Sequence, residues 1–405
     1  MACHDEPGML PVDTCRARLL AQVSTRTRAE AVPLADAIDR ISAVAIVARL
    51  NVPPTDNSAM DGYAIHGADL EATAALTLIG DSFAGHPFSG TLQPGQCVRI
   101  MTGGVVPDGA SAVIMQEQAS LDVDHITLQR TLKPGENIRR CGEDTIAGDT
   151  LLPAGRRLCA ADIGLLASQG IDTVSVQSQL RIALISTGDE LVPAGAPLGP
   201  GQIHDSNRAM LHAALVQAGF AVIDMGHVMD DADALRARFR DADAAADVVM
   251  TSGGVSVGEA DLVRNVIGEL GDILVWKIAI KPGKPFAFGT LPHSYFFGLP
   301  GNPVSALVTL QELAMPALLR MQGGQWQPPL QLPATLLAPV RKKPGRAEYQ
   351  RGVVTQDSAG NLLVTPLPNQ SSGALTSMSR ANAFVLLELE QGNLAAGETV
   401  KVQLF

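Results

Sequence analysis

The sequence predicts a multidomain α/β plus β protein. Its 405 residues are enough for several domains. Between residues 180 and 320, apolar runs alternate with helical stretches, which implies a parallel, doubly wound sheet. On both sides of that region short β-like runs lie between Gly, Pro and Asp turns. We therefore expect a helical/mixed N-terminal domain (1–50 and 141–178), an inserted β domain (51–140), an α/β domain (179–325) and a C-terminal β domain (326–405).

Taken in order, residues 14–31 read as helix, with Leu19, Leu20 and Val23 at helical spacing. A second helix is expected over 33–42, with Pro33 in its first turn. The chain breaks at Asn51-Val-Pro-Pro-Thr-Asp-Asn. Strands are expected at Ala74–Ile79, Gln96–Met101, Ala112–Gln116 and His125–Leu128. Ala160–Gln169 reads as helix and Asp172–Val176 as strand. In the α/β region, strands are expected at Arg181–Ser186, Phe220–Val228, Val248–Thr251, Ile273–Ile280 and Tyr295–Leu299. Helices are expected from Asp205 or Ser206 to Gly219, over 232–245 and 260–270, and from Asn302-Pro303 to Arg320. Residues 322–329 form a linker, and 333–405 read as all-β.

Composition narrows the function. Aromatics make up 4% and net charge is −11, so nucleic acid is not an expected partner. The five cysteines include no Cys-x-x-Cys pair, which suggests neither a disulfide framework nor a zinc ribbon. The N-terminus is acidic and polar, and the longest apolar stretch, Ile41–Leu50, is too short to span a bilayer. No membrane role and a cytoplasmic location are expected.

Three loops follow strands of the α/β region. They are Ser186-Thr-Gly-Asp-Glu190, Thr251-Ser-Gly-Gly-Val-Ser-Val-Gly-Glu-Ala-Asp261, and Gly298-Leu-Pro-Gly-Asn-Pro-Val-Ser305. In a doubly wound sheet all three emerge at one edge, where ligands bind. Glycine lets the backbone approach a ligand, loop N–H groups can cradle phosphate, and carboxylates can hold a cation. Each loop alone has a plainer reading as a turn or helix cap. A basic element, Trp276-Lys277-Ile-Ala-Ile-Lys281-Pro-Gly-Lys284, follows the second loop. On one strand Lys277 and Lys281 share a face. Their core-like neighbours call for a partner, either an anionic ligand or a local carboxylate. The string Arg139-Arg-Cys-Gly-Glu-Asp144 reads first as a local salt-bridge cluster.

Together these strings resemble the MoeA family of molybdopterin molybdenumtransferases, to which the gephyrin E domain is related. The carrying segments are Asn57–Ala64, Met101–Ala110, Arg139–Asp149, Ile185–Leu191, Thr251–Asp261, Trp276–Gly289 and Gly298–Ala306, with Ala347–Gly352 extending the match. The resemblance implies a MogA-like α/β domain, a barrel-like C-terminal domain and a homodimer with sites shared between subunits. It implies that adenylated molybdopterin and molybdate are substrates, that molybdenum is inserted at the dithiolene with release of AMP, and that Mg²⁺ is the cofactor. A MogA-like protein is an expected partner.

By the same resemblance the catalytic set falls on Asp61, Thr102, Asp144, Glu190, Asp230, Asp261, Lys277 and Lys281. Glu190, Asp230 and Asp261 form the metal set; Asp231 is the weaker of the Asp230-Asp231 pair. Ligand contacts are expected from Thr187, Gly188, Ser252, Gly253, Gly254, Ser256, Gly258 and Lys284, and from Pro300, Gly301, Asn302, Ser305, Arg351 and Ser372. The family's C-terminal Gly-Ser-His string is Ser371-Ser-Gly-Ala here, which weakens the carry-over to Ser372. Competing readings are a non-catalytic gephyrin-like scaffold and a MogA-type molybdopterin adenylyltransferase. The first predicts loss of the carboxylates and lysines, which are present.

Overall fold

The computed structural model describes residues 9–71, 73–253 and 262–405. At its centre lies a six-stranded sheet of the α/β unit. Ala221–Val228, Arg181–Thr187, Val248–Ser252 and Tyr295–Leu299 run parallel in that spatial order. Pro285–Thr290 and Asp272–Lys277 extend it with antiparallel pairings. The sheet is therefore mixed rather than wholly parallel, because Pro282-Gly283 turns the chain back and Phe286 and Phe288 enter the core.

Helices Ser206–Gln217, Ala232–Ala245 and Leu262–Leu270 cover this sheet, much as expected. Asp205 caps the first by accepting from the Arg208 N–H at 3.1 Å. Gly219, at φ +87°, ends it with backbone that other residues rarely adopt. Asp231 caps the second through the Ala234 N–H at 2.8 Å.

The helix opening at Pro303 runs to Met321 and contains one π turn, Leu310–Ala314. Pro316 has no N–H to give the carbonyl four residues back, which is that of Glu312. The Arg16 Nε–H takes its place at 3.0 Å. This helix is long and apolar enough to cross a membrane by length and composition, yet 72% of it is buried within the fold.

The N-terminal segment departs from expectation. The helix is Val12–Gln22, and Ala29–Pro33 is a strand paired antiparallel with Thr173–Gln177. A single 3-10 turn, Leu34–Asp36, stands where the second helix is expected. The pairing partner lies some 140 residues downstream, so local propensity misses it. Val12, Cys15 and Leu19 of the helix bury against the α/β core.

Another six-stranded sheet, with its own apolar clusters, runs between Gly62 and Leu128. In the C-terminal region Ala347–Gln356 pairs with both Leu362–Pro366 and Ala383–Leu387, which closes a five-stranded barrel. One expected strand is split. Ile273–Ile280 breaks after Lys277, and Ile280–Lys281 pairs with Ala347 and Glu348 of the barrel. The chain thus crosses from one unit to the other at these residues.

Candidate active site

A cleft of about 1330 Å³ lies between the α/β unit and the barrel. The first loop contributes Thr187, Gly188 and Glu190. Gly188 has φ +135°, and a Cβ there would lie 2.4 Å from a Glu190 carboxylate oxygen, so only glycine lets that side chain fold back. From the second loop comes Gly253, whose absent Cβ would meet the Thr187 carbonyl at 3.1 Å. The third contributes Pro300, Gly301, Asn302 and Ser305. A Cβ on Gly301 would sit 3.8 Å from the Gly253 Cα, so the three loops converge as expected. Asn302 occupies the helix N-cap but makes no side-chain capping bond, and its amide is left to the cleft.

The carboxylates gather on the α/β side. Asp230 lines the cleft, and its N–H donates to Asp189 at 3.0 Å. Desolvation, then Asp189, then Glu190 raise the Asp230 carboxyl above the usual range, with His227 opposing them. Asp231 is committed to its cap. This excess of negative charge suits a cation. Among the described residues, however, no group of three or more His, Cys, Asp or Glu side chains could by itself hold a metal ion. Asp261, expected as the third ligand, lies outside the described residues, as do Gly254, Ser256 and Gly258.

Cations line the opposite side. Lys281 and Lys284 flank the Pro282-Gly283 turn and face the cleft. Lys277 does not line it, because the strand breaks after Lys277 and the shared-face argument fails. Nor are the lysines buried: Trp276, Ile278, Ala279 and Ile280 lie in the core, while Lys277, Lys281 and Lys284 are exposed. Lys281 pairs with Glu348 at 3.1 Å, so a local carboxylate is its partner here.

Several other expected residues lie elsewhere. Ser252 is buried and accepts from Asn207 at 2.9 Å, while the same Asn207 amide donates to the Gly301 carbonyl at 2.7 Å. Asn207 thereby ties the second loop to the third, a role the sequence reading missed. Arg351 is buried rather than cleft-lining and has no carboxylate partner among the described residues. It donates to Ser377 at 3.0 Å and to the Asn369 and Ser371 carbonyls, so it shapes the loop that presents Ser372 to the cleft. Arg346, Gln370 and Ser371 also line the cleft and were not anticipated.

Asp61, just before the first strand of the sheet unit of residues 62–128, and the exposed Thr102 form a separate pair. One Asp61 oxygen accepts the Thr102 N–H at 2.7 Å and its hydroxyl at 2.8 Å. These bonds, the backbone one first, hold the Asp61 carboxyl below the usual range. Asp144 is exposed and also outside the cleft. In its string, Arg140 pairs with Asp56 rather than with a neighbouring carboxylate.

Three sequence profiles match in succession. Residues 10–170 match the MoeA N-terminal region (domain I and II), 183–320 match a "Probable molybdopterin binding domain", and 333–405 match the MoeA C-terminal region (domain IV). The chain belongs to the MoeA family. A Haemophilus influenzae relative named molybdopterin molybdenumtransferase is 44% identical, with 98% of this chain and 99% of the relative covered. A Nostoc relative of the same name is 35% identical, covering 95% and 90%. Among solved structures, a molybdopterin biosynthesis MoeA protein from Pyrococcus horikoshii superposes with a TM-score of 0.80 at 34% identity, over 98% of this chain and 99% of that one. In this MoeA family member the cleft joins the matched molybdopterin-binding region to the matched C-terminal region.

Proposed function

We propose that this chain is a molybdopterin molybdenumtransferase of molybdenum cofactor biosynthesis. It takes adenylated molybdopterin and molybdate, places molybdenum at the dithiolene and releases AMP. One observation carries the reading: three glycine-bearing loops and a barrel loop enclose one cleft, with Glu190 and Asp230 on one side and Lys281 and Lys284 on the other. Thr187, Gly253, Gly301 and Asn302 suit a phosphate-bearing ligand, and Ser305 and Ser372 add hydroxyls. Lys281 and Lys284 offset charge on phosphate oxygens as the phosphoanhydride breaks.

Glu190 and Asp230 would hold Mg²⁺, with Asp261 as third ligand. Bound there, the ion would neutralise phosphate charge. Asp61 and Thr102 are displaced from their own chain's cleft, and we assign them to the cleft of a second copy in a homodimer. A MogA-like partner supplies the adenylated substrate, and the reaction takes place in the cytoplasm.

The test is to incubate the purified chain with adenylated molybdopterin, Mg²⁺ and molybdate and follow AMP. Molybdate-dependent release that stops on chelation is expected. An inert protein, or ATP-dependent adenylation of molybdopterin instead, refutes the reading. Lys281→Ala should slow turnover. Mixing Asp61→Ala and Asp261→Ala subunits should restore part of the activity, and no recovery argues against shared sites.

A further inference from the structure

A histidine stitches together two loops of the cleft's acidic wall. His227 lies in the Ala221–Val228 strand, shortly before Asp230. Its Nε2 is 2.7 Å from the Gly188 carbonyl oxygen. A carbonyl only accepts, so Nε2 carries the proton and donates. A nitrogen engaged in this way is not free to bind a metal ion. The Leu191 N–H donates to the same oxygen at 3.1 Å, so both of its lone pairs are used. The Glu190 carboxylate is folded back against Gly188, 2.4 Å from where a Cβ would stand. The place of Gly188 therefore decides the place of that carboxylate. A second bond, from the Asp230 N–H to Asp189 at 3.0 Å, joins the same two loops.

The strand bends to present this ring. Leu184 pairs with Asp224 but Ser186 pairs with His227, so two steps on one strand match three on its neighbour. The extra residue makes a bulge, which Gly226 takes up at φ +77° with its N–H held by Asp224 at 2.9 Å. Strict alternation would put residue 227 on the face of Ile223 and Met225, which pack against an apolar cluster. The bulge gives that face to the buried Val228 and moves His227 to the face of Ser186. Core packing is thus left to Val228, and the imidazole is free to reach the loop. Bulges beside functional sites re-aim side chains in this way.

We propose that His227 is a positioning residue: through the Gly188 carbonyl it sets the separation of the Glu190 and Asp230 carboxylates. The inference rests on the proposed function, which puts a divalent cation between those two groups. A cation of that kind demands a narrow range of oxygen positions. Residues that orient its ligands from behind therefore tune its affinity without touching it.

The test compares the full-length wild type with two variants. His227→Phe fills the space without a donor, and the amide of His227→Gln can donate from near the Nε2 position. The Mg²⁺ concentration for half-maximal AMP release should rise about tenfold in His227→Phe, with kcat at saturating Mg²⁺ within about twofold. His227→Gln should recover most of the loss. A merely structural role would lower kcat or the melting temperature and leave the Mg²⁺ requirement unchanged, and that result overturns the proposal. Mn²⁺ alone is also titrated into each substrate-free protein and followed by electron paramagnetic resonance, where His227→Phe should bind about tenfold more weakly. Hydrogen exchange at the Leu191 and Asp230 amides should quicken in His227→Phe and stay near the wild-type rate in His227→Gln. Should the wild type release no AMP, the functional reading fails, but weaker Mn²⁺ binding and faster exchange in His227→Phe still support the role of His227. Equal exchange in wild type and His227→Phe overturns it, whatever the activity does.

Discussion

Replacing Gly283 with alanine tests how tightly the cleft's basic turn is locked to the core. Gly283 has φ +115°, and an added Cβ would lie 2.6 Å from the Thr309 Cγ2. Thr309 is fully buried, and its hydroxyl bonds back to the Ser305 and Ala306 carbonyls, so it cannot rotate away freely. Positive φ costs an L-residue about 1–2 kcal/mol. Overpacking a rigid neighbour adds about 1–3 kcal/mol. The sum is roughly 2–5 kcal/mol, and it falls on the turn that carries Lys281 and Lys284. With a urea slope of about 2 kcal/mol per molar, the unfolding midpoint should drop by roughly 1–2.5 M. Trp276, stacked between Phe286 and Phe288 in the same unit, supplies the fluorescence signal. AMP release should fall as well. Gly195→Ala is the control: φ is +89°, but nothing lies within 4 Å of its added Cβ, so only the backbone cost remains. If Gly283→Ala costs no more than Gly195→Ala and keeps full activity, the turn is not locked as argued.

Asp230→Asn should abolish turnover yet stabilise the ligand-free protein. The sign follows from the raised carboxyl: its ionised form destabilises the folded state, a cost absent below the ordinary carboxylate range and complete above the raised value. The variant's gain in melting temperature should therefore grow as pH rises from the ordinary carboxylate range through the raised value and then level off; a gain that shrinks as pH rises contradicts the cause assigned here. Glu312→Ala should cost roughly 3–5 kcal/mol in urea titrations, because Glu312 is 4% exposed and accepts from Arg16 at 3.1 Å, Tyr349 at 3.2 Å and Gln403 at 3.0 Å; a loss under about 1 kcal/mol refutes the network's weight. A thiol-reactive disulfide reagent at pH 8 should label the exposed Cys141 and Cys159, while Cys15 and Cys97, whose thiols burial pushes up to about 12, should react only after denaturation.

Where local signals governed the chain, the sequence was readable. Ala232–Ala245 has its capping aspartate just before it, and His125–Leu128 alternates cleanly between turns. Legibility failed where a distant partner decides. The expected helix ends at Gln22, and residues 29–31 become part of a strand because Thr173–Gln177 is there to pair. The site divides in the same way. Glycines marked the three loops, since a positive φ or a close approach leaves few other choices. Arg346, Gln370 and Ser371 gave no such signal, because only barrel closure carries them to the cleft. Lys277 falls outside the cleft lining, and the even-spacing argument does not carry it there: even spacing means a shared face only while a strand continues, and this one ends at Lys277.

That break has a consequence for the chemistry. Had Asp272–Lys277 continued unbroken, Lys281 would have remained on the α/β sheet, on the same side as Glu190 and Asp230. Instead Ile280–Lys281 pairs with Ala347–Glu348, and the lysine is carried to the barrel side. The acidic loops thus stay with one unit and the cations gather at the other. A phosphate-bearing ligand that bridges the two meets an anion-compatible wall and a cation-compatible wall at once. The Glu312 contacts to Arg16, Tyr349 and Gln403 hold the N-terminal helix, the π turn and the barrel together beneath this cleft. Stability and charge separation therefore depend on the same junction, and a substitution that loosens it should weaken substrate binding before it unfolds either unit alone.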